Sequence, residues 1–321
     1  MLKATDLRSG RIRSMKSVPR CYKTWSLLAA LLVAAGTVAA RTFPLPSESD
    51  AVVGSIGAVI ARHEDTLSDI ARAHEVGYAA IVAANPGVDP WLPGAGTRIV
   101  LPTRHVLPDA PREGVVLNLP EFRLYYYRAQ HPGSAGQVST YPVSIGDADW
   151  RTPLGLTRVT SKVKKPAWRP PASIRAEHAR NGDPLPAVVP PGPNNPLGDF
   201  ALRLAIPGYL IHGTNKPYGI GMRVTHGCVR LYPEHIARLY EDLPIGTAVR
   251  IVDQPVKAGW DGDVLYLEVH PPLAESQSDA GVTAAVRAVI GATKNRNAPI
   301  DWDAVTRAAR ERRGVPVPVS Q

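Results

Sequence analysis

The chain has 321 residues, 37 Lys and Arg against 28 Asp and Glu for a net charge of +9, and two cysteines, Cys21 and Cys228. That length predicts about two domains with enough interior for an independently stable core. The basic balance would favour a nucleic-acid partner if it were spread over the chain, but it is concentrated at one end.

Residues 1–24 carry seven Lys and Arg against Asp6, and an uncharged segment of sixteen residues, Trp25 to Ala40, follows and closes with Val38-Ala39-Ala40. A basic start, an apolar stretch shorter than the roughly 20 residues of a bilayer span, and small residues at its end read as a signal peptide over residues 1–40. Met15 is the expected start codon, because translation from Met1 would make the basic region unusually long. Subtracting the leader's net +6 leaves about +3 on the remaining 281 residues. This removes the case for nucleic acid as a partner and leaves no expected membrane span after processing. With Cys21 in the leader, Cys228 has no partner for an internal disulfide.

Arg41 to Asp50 reads as a Pro/Ser-containing spacer. A βααβ pattern follows over residues 58–103: an apolar strand Ala58 to Ala61, a helix start at Thr66 to Ala71, Gly77 as a stop, a helix Tyr78 to Ala84, an Asn85-Pro86-Gly87 turn and a strand Arg98 to Leu101. From 113 to 253 short apolar runs alternate with turns, at Val115 to Leu119, Arg123 to Tyr127, Tyr141 to Ile145, Leu156 to Val163, Ala201 to Ala205, Tyr209 to Ile211 and Ala248 to Val252. Strands so spaced predict a mostly β sandwich or barrel-like domain, with one helix from Glu234 to Glu241 behind Pro233. The Pro-dense stretch Lys164 to Gly198 is expected to be an irregular lid. Val264 to Val269 reads as a further strand. A helical C-terminal tail over 273–321 is expected to hold helices Val282 to Ala292 and Trp302 to Arg313, the latter capped by Asp301 and stopped by Gly314.

The chemistry centres on Thr225-His226-Gly227-Cys228-Val229-Arg230, with a second His-Gly pair, His212-Gly213, placed sixteen residues before the cysteine and a Gly-rich loop between them. Only the thiolate of cysteine is a good nucleophile, and a free thiol with a pKa of about 8.5 is mostly protonated near neutrality, so a neighbouring base is needed. His212 and His226 are the candidates. Gly227 lets a carbonyl approach the backbone, and the N–H groups of Gly227 and Cys228 are placed to form an oxyanion hole. Arg230 faces the same side of an extended strand as Cys228 and suits a carboxylate. Taken singly, the cysteine also fits a small buried hydrophobe, each histidine a structural hydrogen-bonder and the arginine a surface charge. Zinc binding by His212, His226 and Cys228 would lack the paired short spacing of structural sites.

The run Tyr209-Leu210-Ile211-His212-Gly213-Thr214, then Ile220-Gly221 and Thr225-His226-Gly227-Cys228-Val229-Arg230-Leu231, closely resembles the signature of the L,D-transpeptidases with a YkuD-type catalytic domain. Gly146 with Thr152-Pro153-Leu154-Gly155, the run from Pro166 to Pro170, and Leu185 to Gly198 match as well, and the last resembles the ErfK/YbiS branch of the Gram-negative periplasm. Asp65-Thr66-Leu67, Ile70-Ala71, Ile81, Ala84-Asn85-Pro86 and Gly96-Thr97 make the βααβ unit similar to a LysM module, a family that binds N-acetylglucosamine-containing glycans. Thr225 stands where many members have Ser, and it keeps the hydroxyl.

The resemblance implies attack on the L,D bond of a peptidoglycan tetrapeptide stem between meso-diaminopimelate and the terminal D-Ala, a thioester on Cys228 and transfer to an amine, with no metal or organic cofactor. It implies His212 as the general base, its other ring nitrogen held by the carbonyl of Gly213 or Thr214. His226, Gly213 and Thr214 then line the site, the N–H groups of His226, Gly227 and Cys228 form the oxyanion hole, and Arg230 and Thr225 contact substrate. The amine is the Lys side chain of an outer-membrane lipoprotein or the side chain of a second stem, giving 3→3 cross-links. The competing readings are an L,D-hydrolase of the same fold and a non-catalytic wall-binding protein.

Overall fold

The computed structural model describes residues 41–128, 136–276 and 278–320. The expected signal peptide, with Met15 and Cys21, lies outside these residues. Among the described residues no helix is long and apolar enough to cross a membrane.

The stretch read as a spacer opens with a strand, β1 (Arg41–Pro44), paired antiparallel with residues 137–140. Four residues without alternation give no strand signal of their own. Their partner lies nearly a hundred positions away, so the sheet edge rather than local propensity sets the conformation.

Next come β2 (Val52–Gly54), β3 (Gly57–Ile60), α1 (Leu67–Ala73), α2 (Tyr78–Ala84), β4 (Arg98–Leu101) and β5 (Arg104–Val106). Thr66 starts α1 through a capping box, its hydroxyl accepting from Asp69 N while the Asp69 carboxylate accepts from Thr66 N. Such a cap is worth about 1 kcal/mol. Leu67, Ile70, Ala71, Val76, Ile81, Ile99 and Leu101 form a core belonging to this unit alone. Asn85 closes it: its amide donates to Ile81 O at 2.8 Å and Val100 O at 2.9 Å, and its carbonyl accepts from Val100 N at 2.7 Å. The predicted βααβ order is therefore the observed one.

The large domain contains β6 (Gly114–Asn118), β7 (Arg123–Tyr127), β8 (Gln137–Gly146), β9 (Gly155–Lys164), α3 (Ala172–Arg180), β10 (Phe200–Leu204), β11 (Leu210–His212), β12 (Arg223–Thr225), β13 (Val229–Leu231), α4 (Pro233–Asp242) and β14 (Ala248–Val252). Hydrogen bonding runs β8-β13-β11-β10-β9-β14-β6-β7 and returns from β7 to β8, so the sheet closes into a barrel. Closure removes exposed strand edges. Side chains from successive strands, including Leu117, Leu124, Val143, Val159, Leu202, Ile211, Val229 and Ile251, fill the interior, and Ile236 and Leu239 of α4 pack against them. In the Pro-dense stretch, where an irregular lid was expected, α3 forms. Ile174 is its one buried residue, so the helix carries no apolar periodicity to read. Asn195, fully buried, holds the rest of that stretch by donating to the carbonyls of Pro166, Val189 and Pro190.

The tail helices do not stand alone. β15 (Val256–Asp261) and β16 (Val264–Val269) form a hairpin on which α5 (Val282–Thr293) and α6 (Trp302–Glu311) pack, and β17 (Val317–Pro318) adds to β16. Trp260, Leu265, Leu267, Ala285, Val289, Val305 and Val319 make its core, so this third module begins at Val256 rather than at 273. Asp301 caps α6 by accepting from Ala304 N.

A buried charge cluster joins the three parts. Lys257 Nζ lies 2.8 Å from Glu121 and 3.2 Å from Glu268, and it donates to Val106 O at 2.6 Å. His105, Glu121 and Glu268 bring donor atoms together as a metal site would, but the lysine ammonium contacts both carboxylates and serves as their counter-cation. Burial pushes the Glu121 carboxyl up, yet Lys257, His270 and Arg123 outweigh it and hold the carboxyl below its ordinary range.

Candidate active site

β11 and β13 run parallel, with Ile211 opposite Val229 and His212 opposite Arg230. Ile211, Val229 and Leu231 point into the barrel core. Because side chains alternate along a strand, His212, Cys228 and Arg230 share the opposite face. Strand pairing thus brings together three residues that the chain separates by the Gly-rich loop.

His212 is buried, and its Nδ1–H donates to the carbonyl of Gly213 at 2.6 Å. That bond selects the tautomer in which Nε2 is the acceptor. Burial first, and the Arg230 charge second, push its pKa down to about 3, against the upward pull of the Gly213 and Leu197 carbonyls. The imidazole is therefore neutral through the physiological range. Cys228 is partly exposed, with Sγ 3.7 Å from Gly208 O. Burial raises its thiol pKa, and a hydrogen bond from the Leu210 backbone and the charge of Arg230 only partly offset that rise. Burial thus favours the neutral form of both groups, an arrangement that suits transfer of the sulfur proton to His212 as sulfur attacks a carbonyl. The Nε of Arg230 is buried and makes no hydrogen bond.

The cysteine loop is fixed by its glycine. Gly227 has φ +94, and a Cβ there would meet the Tyr209 ring at 2.7 Å, so no other residue fits without rearrangement. His226 packs edge-on against Trp150 with ring centroids 5.1 Å apart, and its Nε2–H donates to Glu177 of α3 at 3.2 Å. The Pro-rich insertion therefore touches the catalytic loop directly.

Residues 112–251 match the model of the L,D-transpeptidase catalytic domain, YkuD. The chain is 40% identical to "Probable L,D-transpeptidase ErfK/SrfK" of Escherichia coli (strain K12), over 91% of this chain and 94% of that one. The chain belongs to the L,D-transpeptidase family. "Probable L,D-transpeptidase YcfS" of the same strain is 42% identical over 80% of this chain and 81% of its own. Among solved structures, the NMR structure of the catalytic domain from E. faecium L,D-transpeptidase aligns at 17% identity and a TM-score of 0.33, over 45% of this chain and 100% of that chain.

In this L,D-transpeptidase two expected roles change, those of Thr225 and Thr214. Thr225, expected on substrate, is buried and donates its hydroxyl to the carbonyl of Cys228 at 2.6 Å, so it shapes the turn. Thr214 is also buried, and its hydroxyl accepts from Lys216 N at 2.9 Å, which orders the loop after β11 instead of facing substrate. Gly213 serves through its carbonyl on His212. Its N–H donates to Phe200 O at 3.1 Å, and a Cβ there would meet Ile236 at 2.9 Å. Sequence reasoning missed Glu177, Trp150, Arg223 and Glu275, which come from outside the motif. For Thr152 the run Thr152-Pro153-Leu154-Gly155 is the sequence signal, with no role attached to it by residue type alone.

Proposed function

We propose that this L,D-transpeptidase works in the periplasm of a Gram-negative cell on peptidoglycan tetrapeptide stems, passing each stem through a thioester on Cys228 to an amine. The supporting observation is the shared face of His212, Cys228 and Arg230, with His212 neutral and its Nδ1–H committed to Gly213. Sulfur attacks the carbonyl between meso-diaminopimelate and D-Ala while its proton passes to His212 Nε2. The tetrahedral oxyanion is held by backbone N–H groups of the His226 to Cys228 loop. His212 then returns the proton to the departing D-Ala nitrogen, the C–N bond breaks, and the thioester remains. In the second half an acceptor amine attacks that carbonyl, its proton travels by the same imidazole to sulfur as the C–S bond breaks, and the amide forms with the thiol restored. Arg230 holds the stem carboxylate.

The acceptor we favour is the C-terminal Lys of an outer-membrane lipoprotein, because a Pro-rich insertion seated on His226 favours a slender chain over cross-linked glycan. The LysM-like unit would hold glycan beside this site. Its contacts with the large domain use Ser68, Arg72 and Tyr78, while Ile60, Trp91 and Leu92 stay exposed at 61%, 63% and 75%.

The test is incubation with a disaccharide-tetrapeptide and a Lys-terminated peptide, followed by mass spectrometry. The expected result is D-Ala release, an adduct on Cys228 and a Lys-linked product, all lost in Cys228→Ala. D-Ala release with water as the only acceptor would instead identify a hydrolase, and 3→3 dimers without Lys-linked product would overturn the lipoprotein assignment alone.

A further inference from the structure

A chain of hydrogen bonds runs from the C-terminal module to the peptide bond in front of the nucleophile. Glu275, in the segment between β16 and α5, accepts two hydrogen bonds from Arg223 of β12, at 2.7 and 2.6 Å. Arg223 Nε donates to Gly146 O at 3.2 Å. On the other side of that residue, Gly146 N donates to Thr152 Oγ1 at 3.0 Å, and the Thr152 hydroxyl spends its single proton on Gly227 O at 2.9 Å. The segment holding Glu275 is itself fastened, with Ser276 bonded to the Asp253 carboxylate and Ser278 to the Asp253 carbonyl at 3.1 Å.

The end of this relay matters because of peptide geometry. In a trans peptide the C=O of one residue and the N–H of the next point in opposite directions within one plane. Fixing the Gly227 carbonyl on Thr152 therefore fixes where the Cys228 N–H points, and that N–H is one of the donors the oxyanion requires. Gly227, at φ +94 and with no side chain, has a backbone free to rotate unless something holds it. Thr152 is buried, and the site around it is tight: a Cβ on Gly146 would meet Trp150 O at 1.9 Å and Gly227 Cα at 2.9 Å.

We propose that Thr152 is a positioning residue that aims the Cys228 N–H at the developing oxyanion, and that the C-terminal module sets Thr152 through Glu275 and Arg223. The inference rests on the thioester reading above. It gives the C-terminal module a part in catalysis, although none of its residues lies in the Cys/His motif.

The test separates reactions that need an oxyanion site from those that do not. Acylation of Cys228 by a carbapenem builds negative charge on a carbonyl oxygen, whereas alkylation by iodoacetamide displaces iodide at a saturated carbon and needs no such donors. Full-length wild type, Thr152→Val, Thr152→Ser and Glu275→Gln are followed by intact-protein mass spectrometry under both reagents. Thr152→Val should slow acylation by about 10-fold to 100-fold, toward the loss seen when an oxyanion donor is removed, with alkylation within about 2-fold. Thr152→Ser keeps the hydroxyl and should recover most of the acylation rate. Glu275→Gln, at the far end of the relay, should slow acylation by about 3-fold and leave alkylation alone. Equal losses in both reactions would mean general damage to the loop and overturn the proposal, as would unchanged acylation in Thr152→Val. Failure of the thioester reading looks different, because wild type itself would then form no carbapenem adduct.

Discussion

The carboxylate of Glu177, carried on α3 of the Pro-rich insertion, sits 3.2 Å from Nε2 of His226, two positions before the nucleophile. It is a point of attachment between an otherwise exposed helix and the floor of the site. Both side chains are about a third exposed, 34% and 28%, so the contact is worth at most about 1 kcal/mol. A latch of that strength can open and close readily.

Glu177→Gln should therefore loosen the insertion without unfolding it. One kilocalorie corresponds to about a 5-fold change in an equilibrium. Labelling of Cys228 by a bulky maleimide is expected to speed up about 2-fold to 5-fold, with iodoacetamide nearly unaffected. No change with the bulky reagent would show that the insertion does not restrict access.

The resting charges of the thiol and imidazole set a pH dependence. Burial raises the Cys228 pKa by disfavouring thiolate, so at pH 8 less of this thiol is ionised than of a free cysteine. Alkylation of Cys228 should be slower than that of a cysteine peptide at pH 7 to 8 and should still be climbing where the peptide has levelled off. A plateau beginning below pH 7 would instead require a preformed thiolate–imidazolium pair.

The two histidines should separate cleanly. His212→Ala removes the base and should slow thioester formation by about 10²-fold or more. His226 has its Nε2–H on Glu177 and its ring on Trp150, so His226→Ala should cost less, through access and loop order. Equal losses in carbapenem acylation would show that both rings handle the proton.

Acid stability offers a further check. His105 is held well below its ordinary pKa of 6.5, by burial first and then by Arg123 and Lys257, and His212 is pushed down to about 3. Below pH 6.5 the unfolded chain binds protons at both sites that the native chain refuses, so the stability they provide is complete above pH 6.5 and is lost as pH falls. Each group contributes a slope of up to about 1.4 kcal/mol per pH unit. Urea midpoints at pH 7, 6 and 5 should fall steadily in wild type and less steeply in His105→Gln. Parallel lines for the two proteins would remove His105 from the account.

Much of this was legible in the sequence where local patterns and tertiary demands agree. α2, β4, β7, β14 and β16 have the predicted limits, because in each a local run of helix-forming or β-favouring residues coincides with what the fold buries. Cys228 and Arg230 were legible as a pair from alternation along an extended strand, and the resemblance singled out His212 over His226, but the register that sets His212 opposite Arg230 comes from strand pairing and was not. β1 and β12 were not, being short edge segments specified by partners far away in the chain. α3 was hidden by its polar sequence. β15 could have been found from Gly262-Asp263, a two-residue hairpin turn signal with a strand already assigned on its far side. The supporting shell of Thr152, Glu177, Arg223 and Glu275 was invisible because hydrogen bonds between distant loops leave no periodicity.

The βααβ unit meets the large domain backbone to backbone, where Gly77 lies against Gly221. Tyr78 N and Ala79 N donate to Ile220 O and Gly221 O at 2.9 and 3.2 Å, and a Cβ on Gly221 would fall 2.4 Å from Tyr78 N. Backbone contact this close has no slack for a hinge, and the residues it grips belong to the loop that joins the two catalytic strands. The small unit is thus kept at a constant offset from the sulfur, joined to the catalytic strands by backbone rather than by a flexible tether. On the glycan-binding reading proposed above, such an offset would act as a ruler: the place where the unit takes hold would decide which stem reaches Cys228.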